Sequence, residues 1–152
     1  MKGKTLLLLF ALLFVIPSFA QKPDKNKAAR HKEIMEFKLD FLAKEIDLKE
    51  DQVKQFNELY MQLDKERRVI LKRIKTAEKT VSENKDASEA VYEKAMKEIS
   101  SAKNDMIQTD KKYDEKFSTF LTKKQMYKLK EAENAFMKKM QQCCEKKKKE
   151  KR

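Results

Sequence analysis

Apolar residues recur at spacings of three, four and seven along most of the chain, and no run alternates with the two-residue period of a strand. At 100° per residue, Arg30 to Ile46 predicts a first helix with two apolar stripes, Ile34, Phe37 and Phe41 on one and Met35, Leu39, Leu42 and Ile46 on the other, with Lys38 and Glu45 between them. Two stripes need two partners, so Met35, Leu39, Leu42 and Ile46 are expected to form a client or dimer surface. A second helix, about Lys49 to Lys79, gathers Val53, Phe56, Tyr60, Leu63, Ile70, Ile74 and Val81 on one face, widened by Leu59, Leu71 and Ala77, with Met61 and Val69 off it. Ser82 to Asp86 have the composition of a loop, and Asp86 with Glu89 is expected to cap the next helix. That helix, Ala87 to Thr119, aligns Val91, Ala95, Ile99, Ala102, Met106, Tyr113, Phe117 and Phe120, and leaves Asp110 off the face. A fourth places Met126, Leu129, Phe136, Met137, Met140 and Cys143 on a common side.

Between the third and fourth helices, Thr122 and Gln125 have the spacing of a capping box, flanked by Leu121 and Met126 at the positions of a hydrophobic staple. A related pattern runs from Leu48 to Val53, with Gln52 in place but Lys49 where the threonine would stand; Asp47 with Glu50 offers a box in shifted register. Leu48, Gln52, Leu121, Thr122 and Gln125 are therefore expected to be structural residues of two similar corners. The chain becomes two helix-corner-helix halves. Helices two and three are about 45 Å long and the outer two shorter by about a third. Helices so unequal suit an all-α, elongated and bent arrangement that dimerises better than a compact four-helix bundle.

Composition changes this picture at the ends. Residues 1–20 have the positive start (Lys2, Lys4), the apolar run (Leu6 to Ile16) and the small-x-small site (Ser18 to Ala20) of a secretory leader, so an export destination, the periplasm, is expected. Residues 21–29 are a polar lead-in expected to fray, and 145–152 a basic tail expected to be disordered. The single glycine, Gly3, lies in the leader. Without glycine for positive φ or close backbone approach, phosphate-cradling loops and dinucleotide fingerprints are excluded. The formal charge of +12 is strongly basic, but export removes most opportunity to meet nucleic acid. The Lys-rich tail is either a solvated solubility aid or a weak contact for an anionic membrane surface.

Chemistry-bearing residues are few. His31 is the only histidine, and one histidine near a helix start is an ordinary solvated side chain. Cys143 and Cys144 are adjacent and cannot both face one ion from a regular helix. Three fates stay open for them: inert thiols, an intersubunit or redox pair, or zinc or copper held between two subunits. No metal site, cofactor or catalytic residue is assigned, and a non-enzymatic protein is expected.

Leu121-Thr122-Lys123-Lys124-Gln125, with its partner at Leu48 and Gln52, resembles the repeated Leu-Thr-x-x-Gln signature of the Spy and CpxP family of periplasmic helical proteins, and the likeness extends from the first helix to the fourth. Lys49 departs from the pattern. The resemblance implies a cradle-shaped antiparallel homodimer that binds unfolded or aggregation-prone proteins on a concave face without ATP. It implies, as an alternative, an envelope stress or metal-responsive sensor acting through helix-mediated partner binding. The first reading also has a physical basis: apolar and methionine side chains set among cations hold unfolded segments without fitting one sequence.

Overall fold

The computed structural model describes residues 25–149, with side chains at 28–143 and 145. The leader, the first residues of the lead-in and the last three of the tail lie outside the described residues. Four helices follow in order: α1 (Lys25–Glu45), α2 (Glu50–Ser82), α3 (Glu89–Phe117) and α4 (Lys123–Lys149), with no strand among the described residues. The all-α expectation holds.

α2 and α3 form a long antiparallel hairpin, about 50 and 44 Å in length, joined by residues 83–88. α1 runs back along α2 from the first corner, which brings His31 Nε2 to 3.3 Å from Asp64. α4 sets off beside α2 from the second corner and packs on α1, where Phe37 and Phe41 both meet the Phe136 ring. Both corners therefore sit at the open end of the hairpin. The core lies there too, built from Met35, Leu39, Leu42 and Ile46 of α1, Phe56, Tyr60 and Leu63 of α2, Tyr113 and Phe117 of α3, and Leu121, Leu129 and Ala132 of the last quarter. Towards the closed tip the buried residues of the hairpin shrink to Ile70, Ala77, Ala95 and Ala102, outside this cluster. The alanines bring the two helices close but contribute little apolar area.

Several expectations are corrected. Leu42 and Ile46 are 0% exposed, and Met35 and Leu39 are buried with them. This stripe is the α1 contribution to the core and cannot meet a client or a second subunit. The stripe assigned inward is the more open one, with Phe37 exposed and Ile34 and Phe41 half-buried. Periodicity showed two stripes, and which of them faced the hairpin was a matter of tertiary packing.

α1 starts at Lys25, inside the lead-in expected to fray, and α4 continues through Lys149, into the tail expected to be disordered. Lysine, glutamate and alanine are good helix formers, and cations at a helix C-terminus favour the macrodipole. α4 is consequently nearly as long as α3 rather than a third shorter. The α3 cap is displaced as well. Ser88 is the N-cap, its carbonyl accepting from the N–H of Val91 at 2.9 Å, so Asp86 lies too far back to reach the orphan donors. The α4 stripe ends at Phe136, since Met137 and Cys143 are exposed.

Candidate functional site: a locked double corner and an exposed hairpin face

The first corner begins with a Schellman turn. Leu48 N–H donates to the Ala43 carbonyl (3.0 Å) and Asp47 N–H to the Lys44 carbonyl (3.2 Å), with Asp47 at φ 53°, a position that glycine usually occupies. Asp47 thus terminates α1, and the shifted Asp47–Glu50 box does not form. Its carboxylate instead accepts from Lys128 Nζ at 2.6 Å, and that hydrogen bond and charge hold it below the usual carboxylate range. α2 then starts with half a box: Gln52 Oε1 accepts from the Lys49 N–H at 3.0 Å, while Lys49 has no side-chain acceptor to return the bond. At the second corner the box is complete. Gln125 N–H donates to Thr122 Oγ1 at 3.2 Å, and Thr122 N–H donates to Gln125 Oε1 at 3.0 Å.

The two corners are bonded to each other. Gln125 Nε2 donates to Gln52 Oε1 at 2.9 Å, and Gln52 Nε2 donates back to Gln125 Oε1 at 3.4 Å, across a sequence offset of 73 residues. Gln52 Nε2 also donates to the Phe120 carbonyl (2.8 Å), and Gln125 Nε2 to the Asp47 carbonyl (3.3 Å). Asp47 and Phe120 stand at that same offset, as do Lys49 and Thr122. Each half therefore makes on the other the bonds it receives, so a local pseudo-two-fold axis passes between the two glutamines.

A second polar cluster ties the helices further along. Tyr60 Oη donates to Glu133 Oε1 at 2.6 Å; Arg67 donates to Glu133 and to Asp110, each at 2.7 Å. One guanidinium thereby links α2, α3 and α4. Burial raises the Glu133 pKa, but the Arg67 charge and the Tyr60 and Arg67 hydrogen bonds outweigh it and hold the carboxylate below its ordinary value. Burial and the adjacent carboxylate push the Tyr60 phenol well up. Lys38 of α1 completes the cluster, its ammonium 5.1 Å from the Tyr60 ring centroid and 5.5 Å from that of Phe136. Its pKa is lowered by burial, against the raising influence of Glu133 and Asp64. Arg67 and Glu133 were not singled out from the sequence, and Asp110 was placed only as lying off the α3 apolar face. Nothing in a charge-rich helix marks which of its ions will be buried.

Beyond this cluster the two sides of the hairpin differ. One is ionic: Arg73 bridges Glu98 and Asp105, and Glu66 accepts from Lys112 and from Tyr113, whose phenol is pushed up to about 12 by burial and that carboxylate. The other side continues the surface on which α4 packs. A recess lined by Ile107, Asp110, Asp114, Lys123 and Met126 shows that Ile107 lies on the α4 side. Met96, eleven residues or three turns earlier, shares its line, and Leu71 follows Arg67 by one turn. Leu71 is 54% exposed, Met96 70% and Ile107 62%, with Tyr92 also exposed one turn from Met96. Lys75 and Lys103 stand exposed beside them. This is the largest departure from the sequence reading: Leu71 was expected to widen the core, Met96 was assigned to no face, and Ile107 drew no notice.

Cys143 is an exposed free thiol, and His31 is half-buried against Asp64. Among the described residues no three His, Cys, Asp or Glu side chains come together in a metal-holding cluster, and no helix is long and apolar enough to cross a membrane. Compared with known proteins, the chain matches no family model, no curated sequence and no solved structure.

Proposed function

We propose that this protein is a non-enzymatic, ATP-independent chaperone that holds unfolded or aggregation-prone segments on the α4 side of the hairpin, where Leu71, Tyr92, Met96 and Ile107 are exposed among lysines. The exposure of this row carries the reading. Large apolar side chains clustered on one side of an otherwise charged surface mark an interaction site. Methionine adapts to varied apolar partners, and the basic surface draws acidic segments at long range. The junction of the two corners supplies the rigidity such a surface needs, because a rigid platform loses less entropy on binding. The secretory leader and the resemblance to the Spy and CpxP family support the same reading, with action in the periplasm, where no ATP is at hand. They also support a homodimer, in which two such faces would act together.

Suppression of aggregation of a chemically denatured client tests the proposal. The chain from Gln21 onward should suppress light scattering at near-stoichiometric amounts. Leu71→Asp with Met96→Asp should remove most of that activity at an unchanged melting temperature, whereas Val69→Asp, on the ionic side of the hairpin, should not. No suppression at several-fold excess and low salt, or equal loss from both sets of variants, would reject this face.

A further inference from the structure

Phe136 is the last buried residue of α4, yet the helix continues to Lys149, a further stretch of about 20 Å. Past Phe136 the contacts thin out: Lys139 Nζ lies 5.3 Å from the Phe41 ring centroid and Met140 is half-buried, while Lys138, Gln141, Gln142, Cys143 and Glu145 are exposed. Residues 138–152 contain eight lysines and arginines against two glutamates, which amounts to half of the formal +12 of the whole chain. The same stretch begins with sulfur-bearing side chains at intervals of three: Met137 and Cys143 exposed, Met140 half-buried. Cationic and apolar positions thus share one helical stretch.

That combination discriminates among anionic partners. A nucleic acid would use the charges but gain nothing from the methionines, and no aromatic residue follows Phe136 to stack on a base. A membrane interface uses both. Lysines are drawn to anionic headgroups, and a helix that also bears apolar side chains buries them at the acyl boundary. We propose that the α4 extension, from Met137 to Lys149, docks this protein onto an anionic phospholipid surface, with Met137 and its neighbours entering the interface. The extension is helical through Lys149, so its cationic and apolar positions lie on one continuous helix. The inference does not depend on the chaperone reading.

Vesicle flotation of the chain from Gln21, which contains all four helices without the apolar leader, tests it. The protein should float with vesicles of phosphatidylcholine containing one-third phosphatidylglycerol and not with phosphatidylcholine alone. Deleting residues 145–152 should lower partitioning by roughly a hundredfold or more, as expected when several cations leave an anionic surface. Met137→Asp should weaken binding at an unchanged melting temperature. The chain has no tryptophan, so Met137→Trp supplies a single reporter in an otherwise intact helix, and its emission should shift to the blue on anionic vesicles. Binding that survives the deletion, flotation with neutral vesicles, or an unshifted tryptophan would overturn the proposal. Binding to duplex DNA as tight as to the anionic vesicles at the same salt would overturn the lipid assignment and leave charge alone as the cause.

Discussion

Gln125 is a buried side chain with both polar atoms engaged, and its partners are what make the fold specific. Capping alone needs only a local acceptor, which many residues supply. The reciprocal amide pair needs two glutamines at the same place in two halves of the chain. Replacing one leaves the other amide, and a backbone carbonyl, short of a partner in a part-buried setting. Gln125→Ala is therefore expected to cost about 2–3 kcal/mol, against ~1 kcal/mol for Thr122→Ala, which removes one cap bond. In urea denaturation the Gln52→Ala/Gln125→Ala double variant should lose less than the sum of the singles, with a coupling of about 1 kcal/mol. Strict additivity would show two independent caps rather than one junction. Asp47 illustrates the same economy at the backbone: with no glycine available at the corner, an aspartate takes the left-handed position, where a short polar side chain is best tolerated among non-glycine residues.

At the scale of the helices, ordering depends on which ions are shared between elements. Arg67 serves α3 and α4 at once, and Glu133 accepts from it and from Tyr60. Because the Glu133 pKa lies below its ordinary 4.5 in the folded chain, this group contributes stability that is present above pH 4.5 and lost as pH falls through the folded value. Glu133→Gln keeps an acceptor for Tyr60 but leaves Arg67 short of a charge, and should lower stability by about 3 kcal/mol at neutral pH. The gap between variant and wild type should narrow on acidification below pH 4.5. Asp47 and Glu66 have lowered values too, so acid weakens both proteins, and only the difference isolates Glu133. A gap that stays constant from pH 7 to 3 would argue against an ionised Glu133 in the folded chain.

For the molecule as a whole, the core is concentrated at one end. Aromatic and leucine side chains of all four helices fill the corner end, while the tip rests on Ile70 and three alanines. Local stability should follow apolar burial. Native-state hydrogen exchange should therefore show amides of Ile74 to Val91 exchanging through local openings at low denaturant, and those near Phe56, Phe117 and Leu129 only through global unfolding. A uniform opening free energy along α2 and α3 would contradict this.

Much of this was legible in the chain before folding. Helix number, the two corners and the roles of Thr122 and Gln125 follow from local rules, because helical period and capping act within four residues. The departure at Lys49 was legible for the same reason, since an ammonium cannot accept a hydrogen bond, but the shifted Asp47–Glu50 box expected in its place gave way to half a box closed by Gln52. What the chain could not reveal were relations between segments far apart in sequence. Periodicity showed two stripes on α1, but only packing chose the Met35 stripe as core. Spacing showed two similar corners, but only folding put Gln52 against Gln125. Nor could composition mark Arg67 and Glu133 as half-buried, or Leu71, Met96 and Ile107 as exposed, because burial is decided by which surfaces of the hairpin α1 and α4 cover. The sequence by itself determined a glycine-poor chain of four helices with two capped corners, and the tertiary structure alone decided which faces they bury against one another and which they leave exposed.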